Sequence, residues 1–248
     1  MTSGTTTPLC LPPLGSIEPV RLSIMKAAAI RVRDIMHDLA MVGSNVVSEV
    51  LCDQPEFYEW DHYPPGDIYD PVSHSQFYYH AHPPEDRNNI RTDEHGHFHT
   101  FMRPPGFPPE VEQLSELGGL PAACPSSGLT HLIAVSVNFA GDPVRLFTTN
   151  RWVTDETWYP AAEVKRILPH FLVTRESRCS QTSAWISSLL TMYGPLIELL
   201  MDARDETVRA HDTSQPIHKA WSDRSLEVTS VADISLEKDI DAIIGAAP

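Results

Sequence analysis

Five histidines in two short runs are the residues of this chain whose types and spacing could do chemistry. His80 and His82 lie two residues apart, and His95, His97 and His99 repeat the same spacing. Because alternate side chains of an extended strand leave the same face, each run would present its imidazoles in one direction. Imidazole is the commonest metal-binding side chain and titrates near neutral pH. The spacing therefore predicts a metal site on one face of a β-sheet.

The two runs would form a hairpin from strands at 75–82 and 95–102. Directly opposed Cβ atoms lie about 4.5–5.5 Å apart, and imidazole nitrogens can then meet one ion at about 2.0–2.1 Å. A further histidine opens the next predicted strand. The predicted metal ligands are His80, His82, His97, His99 and His131, and further site residues could be Glu94, His95, Tyr79 and Arg103.

The expected cofactor is a divalent transition metal. Three histidines with an open position suit catalytic zinc, histidine with a carboxylate suits non-haem iron, and copper also favours imidazole. The four cysteines form no Cys-x-x-Cys pair, which argues against a thiolate cluster. Two functions remain open. One is a metal-dependent enzyme of the hydrolase/lyase or oxygenase type, and the other is a non-catalytic metal-binding or accessory subunit.

Composition and missing motifs exclude several other classes. The chain has 18 Lys and Arg against 33 Asp and Glu, a net charge of −15 that disfavours nucleic acid and anionic lipid. It has neither a Gly-rich phosphate loop nor a GxSxG nucleophile elbow. We expect a small-molecule substrate or a protein partner instead. With no signal peptide and no apolar run of about 20 residues, a cytoplasmic protein without a membrane span is expected.

The order of predicted elements gives the fold class. A Thr- and Pro-rich flexible leader is expected at 1–18, followed by a single α+β domain at 19–248. Helices are predicted at 19–41, 46–51, 109–117, 161–168, 183–203 and 235–244, strands at 75–82, 95–102, 129–139 and 144–152, and irregular chain before the first strand. This order predicts an antiparallel sheet of about four or more strands with a histidine-rich face, packed with N- and C-terminal helices.

Two family resemblances add to these expectations. The run QFYYHAH at 76–82, followed by Glu94-His95, resembles the QFxFHxH…EH stretch of α-type carbonic anhydrases. In that family two histidines of one strand and one of the next bind zinc, so the resemblance implies a zinc hairpin. It covers about thirty residues, and the family's ExHxVHWN strand has no counterpart here. The segments NVVSEVL, EWDHYPPGDIYD, QFYYHAH, EHGHFHTF and LFTTNRWVT are similar to an uncharacterised bacterial family, which implies no particular activity.

Overall fold

The two histidine runs lie on neighbouring antiparallel strands, as their spacing predicts. A computed structural model describes residues 8–51, 54, 56–83, 93–111, 128–174, 179–211 and 216–247. Within these residues one antiparallel sheet of six strands follows chain order. The strands are β1 (Tyr63–Tyr69), β2 (Ser75–His80), β3 (Glu94–Met102), β4 (Thr130–Asn138), β5 (Pro143–Thr149) and β6 (Val228–Asp233). The predicted α+β class is confirmed.

The longer helices cover one face of this sheet. The helices of the described residues are α1 (Pro19–Met41), α2 (Val46–Leu51), α3 (Arg151–Thr154), α4 (Ala161–Ile167), α5 (Ser180–Met192), α6 (Gly194–Ala210), α7 (Ile217–Ala220) and α8 (Leu236–Gly245). The long helix α1 begins where Glu18 accepts a hydrogen bond from the Arg21 amide at 3.0 Å. It packs on α5 and α8, whereas α6 packs on β6. The main hydrophobic core therefore lies between the helices and one face of the sheet.

Several predicted boundaries differ from the structure for identifiable reasons. The predicted helix at 183–203 is two helices, because Pro195 belongs to the first turn of α6 and cannot continue the ladder of α5. The predicted strand at 144–152 ends at Thr149, since Asn150 caps α3. Two strands were missed. Pro64 and Pro65 concealed β1, which tolerates them as an edge strand, and β6 is only six residues long.

The described part of the predicted leader lies against the core. Four of its apolar side chains are partly buried there: Leu9, Leu11, Leu14 and Ile17. Residues 1–7 and most of the predicted helix at 109–117 lie outside the described residues. None of the helices within the described ranges has both the length and the apolarity to cross a membrane alone. Helices α5 and α6 reach that length and apolarity only as a pair, across a 72° bend.

Candidate metal centre

Alternation along β2 and β3 divides their side chains between the two faces of the sheet. Three aromatic side chains join the core beneath the helices: Phe77, Tyr79 and Phe98. The ring of Phe98 lies 5.4 Å from that of Trp185 in α5. The intervening side chains line a cleft on the other face: Tyr78, His80, His97 and His99. The predicted sharing of a face by these histidines is therefore confirmed.

A β-bulge in β3 decides which residue precedes His97 on the cleft face. The register against β4 shifts between Glu94 and Gly96, which makes His95 the extra residue. His95 turns away from the cleft, and its Nδ1 hydrogen-bonds with the Tyr79 hydroxyl. The prediction that His95 shares the face of His97 is wrong, because strict alternation fails at a bulge. Gly96 is required here, since any Cβ would collide with the Tyr79 phenol.

A second bulge, in β4, turns His131 toward the cleft. Ile133 and His131 pair with consecutive residues of β3, which leaves Leu132 as the extra residue. Uninterrupted alternation would place His131 on the core side with Ile133. Instead its Nε2 lies 3.0 Å from Nδ1 of His99 on the cleft side. Bulges commonly redirect a side chain in this way next to functional sites.

Three of the predicted ligands converge closely enough to hold one ion. Ligand atoms of His80, His82 and His97 all lie within 4.8 Å of one another. The Nε2 atoms of His80 and His97 are 2.7 Å apart. Two nitrogens on one tetrahedral ion would lie roughly 3.3–3.4 Å apart, given metal–nitrogen bonds of about 2.0–2.1 Å. The two nitrogens would therefore have to move apart by about 0.6–0.7 Å to admit the ion.

Glu94 fixes the orientation of His97. Its Oε1 lies 3.1 Å from Nδ1 of His97, and both side chains are about 95% buried. An ionised carboxylate only accepts hydrogen bonds, so the imidazole proton lies on Nδ1. The Nε2 lone pair of His97 then points toward His80. This carboxylate–histidine arrangement is the one that orients ligands in metal proteins and raises their basicity.

His99 and His131 bond to each other beside this group. Burial is the main cause that lowers the pKa of His99 well below its ordinary value, and the charge on His97 would lower it further. Burial lowers the pKa of His131 to about 3, with the nearby Arg204 charge adding to the effect. Burial likewise lowers the pKa of His80, and a charge on His97 acts in the same direction. These imidazoles are therefore neutral at physiological pH, which is the form that binds metals.

A buried carboxyl group lies next to the second pair. Glu156 Oε2 accepts a hydrogen bond from the His131 amide at 2.7 Å and one from the Thr130 hydroxyl at 3.3 Å. Its Oε1 has no hydrogen-bond partner within the described part of the chain. Burial raises the pKa of Glu156 to about 7, although the Arg204 charge and the His131 amide oppose that shift.

The group formed by His80, His82 and His97 opens into a cleft of about 820 Å³. Aromatic side chains form part of its walls. Trp60 lies with its ring centroid 4.2 Å from that of His82, and Phe147 lies 5.2 Å from His97. The cleft is further lined by Tyr78, Trp152 and Val231. A volume of this size falls within the range of small-molecule sites, about 300–1,000 Å³.

His62 is a cleft residue that the sequence did not reveal. It stacks on Tyr78 with ring centroids 3.6 Å apart and lies 5.9 Å from the His80 ring. Its Nδ1 is 3.2 Å from Oδ1 of Asp67, which has the left-handed φ of 57° that few non-glycine residues adopt. A separation of five residues places two side chains together in no regular element, and the pair meets where β1 loses its regular register with β2, between Tyr63 and Ile68.

Two further predicted site residues lie elsewhere. Tyr79 is in the core, because alternation gives the cleft position to Tyr78. Arg103 lies by a smaller pocket of about 320 Å³ and donates to Gln76 Oε1 at 3.0 and 2.7 Å. Gln76 in turn donates to Asp67 Oδ2 at 2.7 Å. Arg103 does not line the cleft, and this hydrogen-bonded chain links it to the cleft residue His62 through Asp67.

Comparison with known proteins supplies a family but no activity. No curated protein matches the chain, and no solved structure matches it. A family model does match over residues 26–234, which contain every residue of the histidine cluster. The chain therefore belongs to the family described as Domain of unknown function (DUF6969).

Proposed function

We propose that this protein is a metal-dependent enzyme. In this proposal His80, His82 and His97 hold a divalent ion, and the adjoining cleft receives a small-molecule substrate. The observation that carries the proposal is the approach of the His80 and His97 Nε2 atoms to 2.7 Å, with Glu94 bonded to the opposite nitrogen of His97. Histidines that bind metals almost always donate their other ring nitrogen to a carboxylate, a carbonyl or water, and Glu94 gives His97 this arrangement.

The cleft favours an enzyme over an accessory subunit. Structural metal sites are closed by four protein ligands, whereas catalytic sites have three and keep one position for water or substrate. Three histidines form the group, and it opens into a cavity whose walls are partly aromatic. An apolar wall beside the ion would also exclude bulk water from a bound substrate. A storage or delivery site has no use for such a cavity.

Zinc is the metal that this ligand set fits best. Non-haem iron oxygenases use two histidines and a carboxylate. Here the nearest carboxylate, Glu94, bonds to the far side of His97 and not to the point where the ligand atoms meet. A zinc ion on three imidazoles supplies a water molecule that ionises near neutral pH. Hydrolysis or hydration is therefore the reaction class that we assign.

The direct test is metal content of the full-length protein, purified without an affinity tag. We expect one zinc ion per chain by elemental analysis. His80→Ala and His97→Ala should each weaken zinc binding by at least about 100-fold, because each removes a ligand from a three-ligand site. His37→Ala, on the exposed face of α1, is the matched control and should keep its zinc.

Circular dichroism would confirm that each variant is folded. Folded His80→Ala and His97→Ala proteins that retain stoichiometric zinc would overturn the site. Stoichiometric iron in protein purified anaerobically would keep the metal site but overturn the assignment to zinc and to hydrolytic chemistry.

A further inference from the structure

The part of the cleft formed by β4 and β5, beside the histidines, has a chemistry that metal binding does not explain. In strand register, His97 of β3 pairs with Ser136 of β4, and Ser136 pairs with Arg145 of β5. All three side chains line the cleft. Neighbouring strands lie about 4.7–4.9 Å apart, so the backbones of His97 and Arg145 are roughly 9–10 Å apart. This separation is comparable to one six-membered ring with a short substituent at each end.

Two buried hydroxyl groups in this part of the cleft have no partner among the described residues. Ser136 Oγ and Thr149 Oγ1 make no hydrogen bond with any residue that the structure describes, and both residues line the cleft. The residues are 0% and 2% exposed. A buried polar group without a hydrogen bond is costly, and most such groups in folded proteins are satisfied. Two of them in one cleft indicate that a polar ligand completes their hydrogen bonds.

Two arginines provide positive charge beside these hydroxyls. Arg224 lies over the indole of Trp152, 4.4 Å from the ring centroid, and pairs with no carboxylate in the described ranges. Arg145 donates from Nε to Asp233 Oδ1 at 2.8 Å while its side chain also lines the cleft. A guanidinium has five N–H donors in a planar fork that matches carboxylate and phosphate oxygens. Stacking on Trp152 holds one such fork in place.

We infer that the cleft binds an organic anion with a flat apolar body, whose anionic oxygen group is held by Arg224, Arg145 and the Ser136 hydroxyl. The apolar body lies against Phe147 and Trp152, and the other end of the molecule reaches the histidines. The position of the reacting end depends on the proposed metal enzyme. The binding of the anionic end does not, because none of the three side chains that hold it is a proposed metal ligand.

Calorimetric titration of the full-length protein with benzoate, phenyl phosphate and benzamide tests this inference. Benzamide has the shape of benzoate but no charge. In metal-free protein we expect one of the two anions to bind about tenfold more tightly than benzamide, as one charge-assisted hydrogen-bond pair would give. The stronger of the two identifies the carboxylate or the phosphate as the preferred group.

Variants then locate the anion. Arg224→Gln should remove most of the preference over benzamide. Ser136→Ala should reduce it by about threefold, because the hydroxyl bonds more strongly to a charged oxygen than to the neutral amide of benzamide. Arg33→Gln is the control, because Arg33 is exposed on α1 with Asp34 as its neighbour. Equal binding of anions and benzamide, or an unchanged preference in Arg224→Gln, would overturn the inference.

The same titrations with zinc-loaded protein distinguish anion binding at the arginines from anion binding at the metal. Anions that bind only the zinc-loaded protein, with no effect of Arg224→Gln, would support the metal and overturn the anion site. Anion binding that persists in a His80→Ala protein unable to hold zinc would support the anion site by itself. Loss of anion binding in both Arg224→Gln and metal-free protein is not the expected pattern and would count against an independent anion site.

Discussion

Both faces of β2 and β3 carry buried side chains, but the side chains on the two faces are of different kinds. On the helix side, Phe98 is 0% exposed and packs on Trp185. On the cleft side, His97 and His99 are 4% and 1% exposed, and they contact other imidazoles and a carboxylate. Apolar side chains gain free energy from burial, whereas polar ones gain little and must be hydrogen-bonded to be tolerated. One face therefore stabilises the fold, and the other uses that stability to hold a polar site.

The largest expected effect tests whether the two faces are independent. Phe98→Ala should lower the free energy of unfolding by about 3–5 kcal/mol, because it leaves a cavity in the core. Zinc affinity of the folded protein should be unchanged, although Phe98 lies between two histidines in sequence. Urea denaturation and zinc titration measure the two quantities. A parallel loss of zinc affinity would show that the two faces are coupled. If the alanine variant does not fold, the milder substitution Phe98→Leu takes its place in both measurements.

The second prediction concerns Glu156, which lies next to the His99–His131 pair. Its pKa is about 7 in the folded protein, above the ordinary value of 4.5. Between those values the folded state holds a proton that the unfolded state releases, so the free energy of unfolding falls as the pH rises. Glu156→Gln should therefore be more stable than the parent by about 3 kcal/mol at pH 8, and similar to it at pH 4.5. Urea denaturation at both pH values measures this, with the exposed Glu206→Gln as control. A constant difference would contradict the prediction.

The third prediction concerns His131, for which the free energy of unfolding changes with pH in the opposite direction. The pKa of His131 is about 3, below its ordinary value of 6.5. Between those values the unfolded chain binds a proton that the folded state excludes, so the free energy of unfolding falls as the pH falls. This amounts to about 2 kcal/mol between pH 6.5 and 5. His131→Gln should lose correspondingly less stability over that interval, whereas His37→Gln should behave like the parent. Equal pH slopes in all three proteins would show that His131 is not held neutral.

The smallest effect sharpens the assignment of roles on the cleft face. Glu94→Gln should weaken zinc binding by about 10- to 100-fold, the usual cost of removing an outer hydrogen bond to a metal ligand. Glu206→Gln again provides the comparison. A loss as large as that of His97→Ala would mean that Glu94 binds the ion directly. Unchanged zinc affinity would mean that Glu94 serves only as the hydrogen-bond partner of the buried His97 ring.

The sequence predicted what depends on regular alternation and missed what depends on its interruption. Spacing alone placed His80, His82 and His97 on one face, because a pleated strand repeats every two residues. It misplaced His95, because an extra residue in a strand leaves no reliable mark in composition. The bulge that turns His131, a predicted ligand, toward the cleft was not foreseen for the same reason. His62 was missed for a related reason, since an irregularity in β1 and the left-handed Asp67 bring it to the cleft.

The two bulges make strand pairing as decisive as residue type in this chain. The parity of the count between a residue and the nearest bulge decides on which side of the sheet it emerges. With the same residues but regular pairing through β3, His95 and not Glu94 would emerge on the side of His97. The contact between Glu94 and His97 therefore depends on one extra residue in the strand as much as on the two side chains themselves.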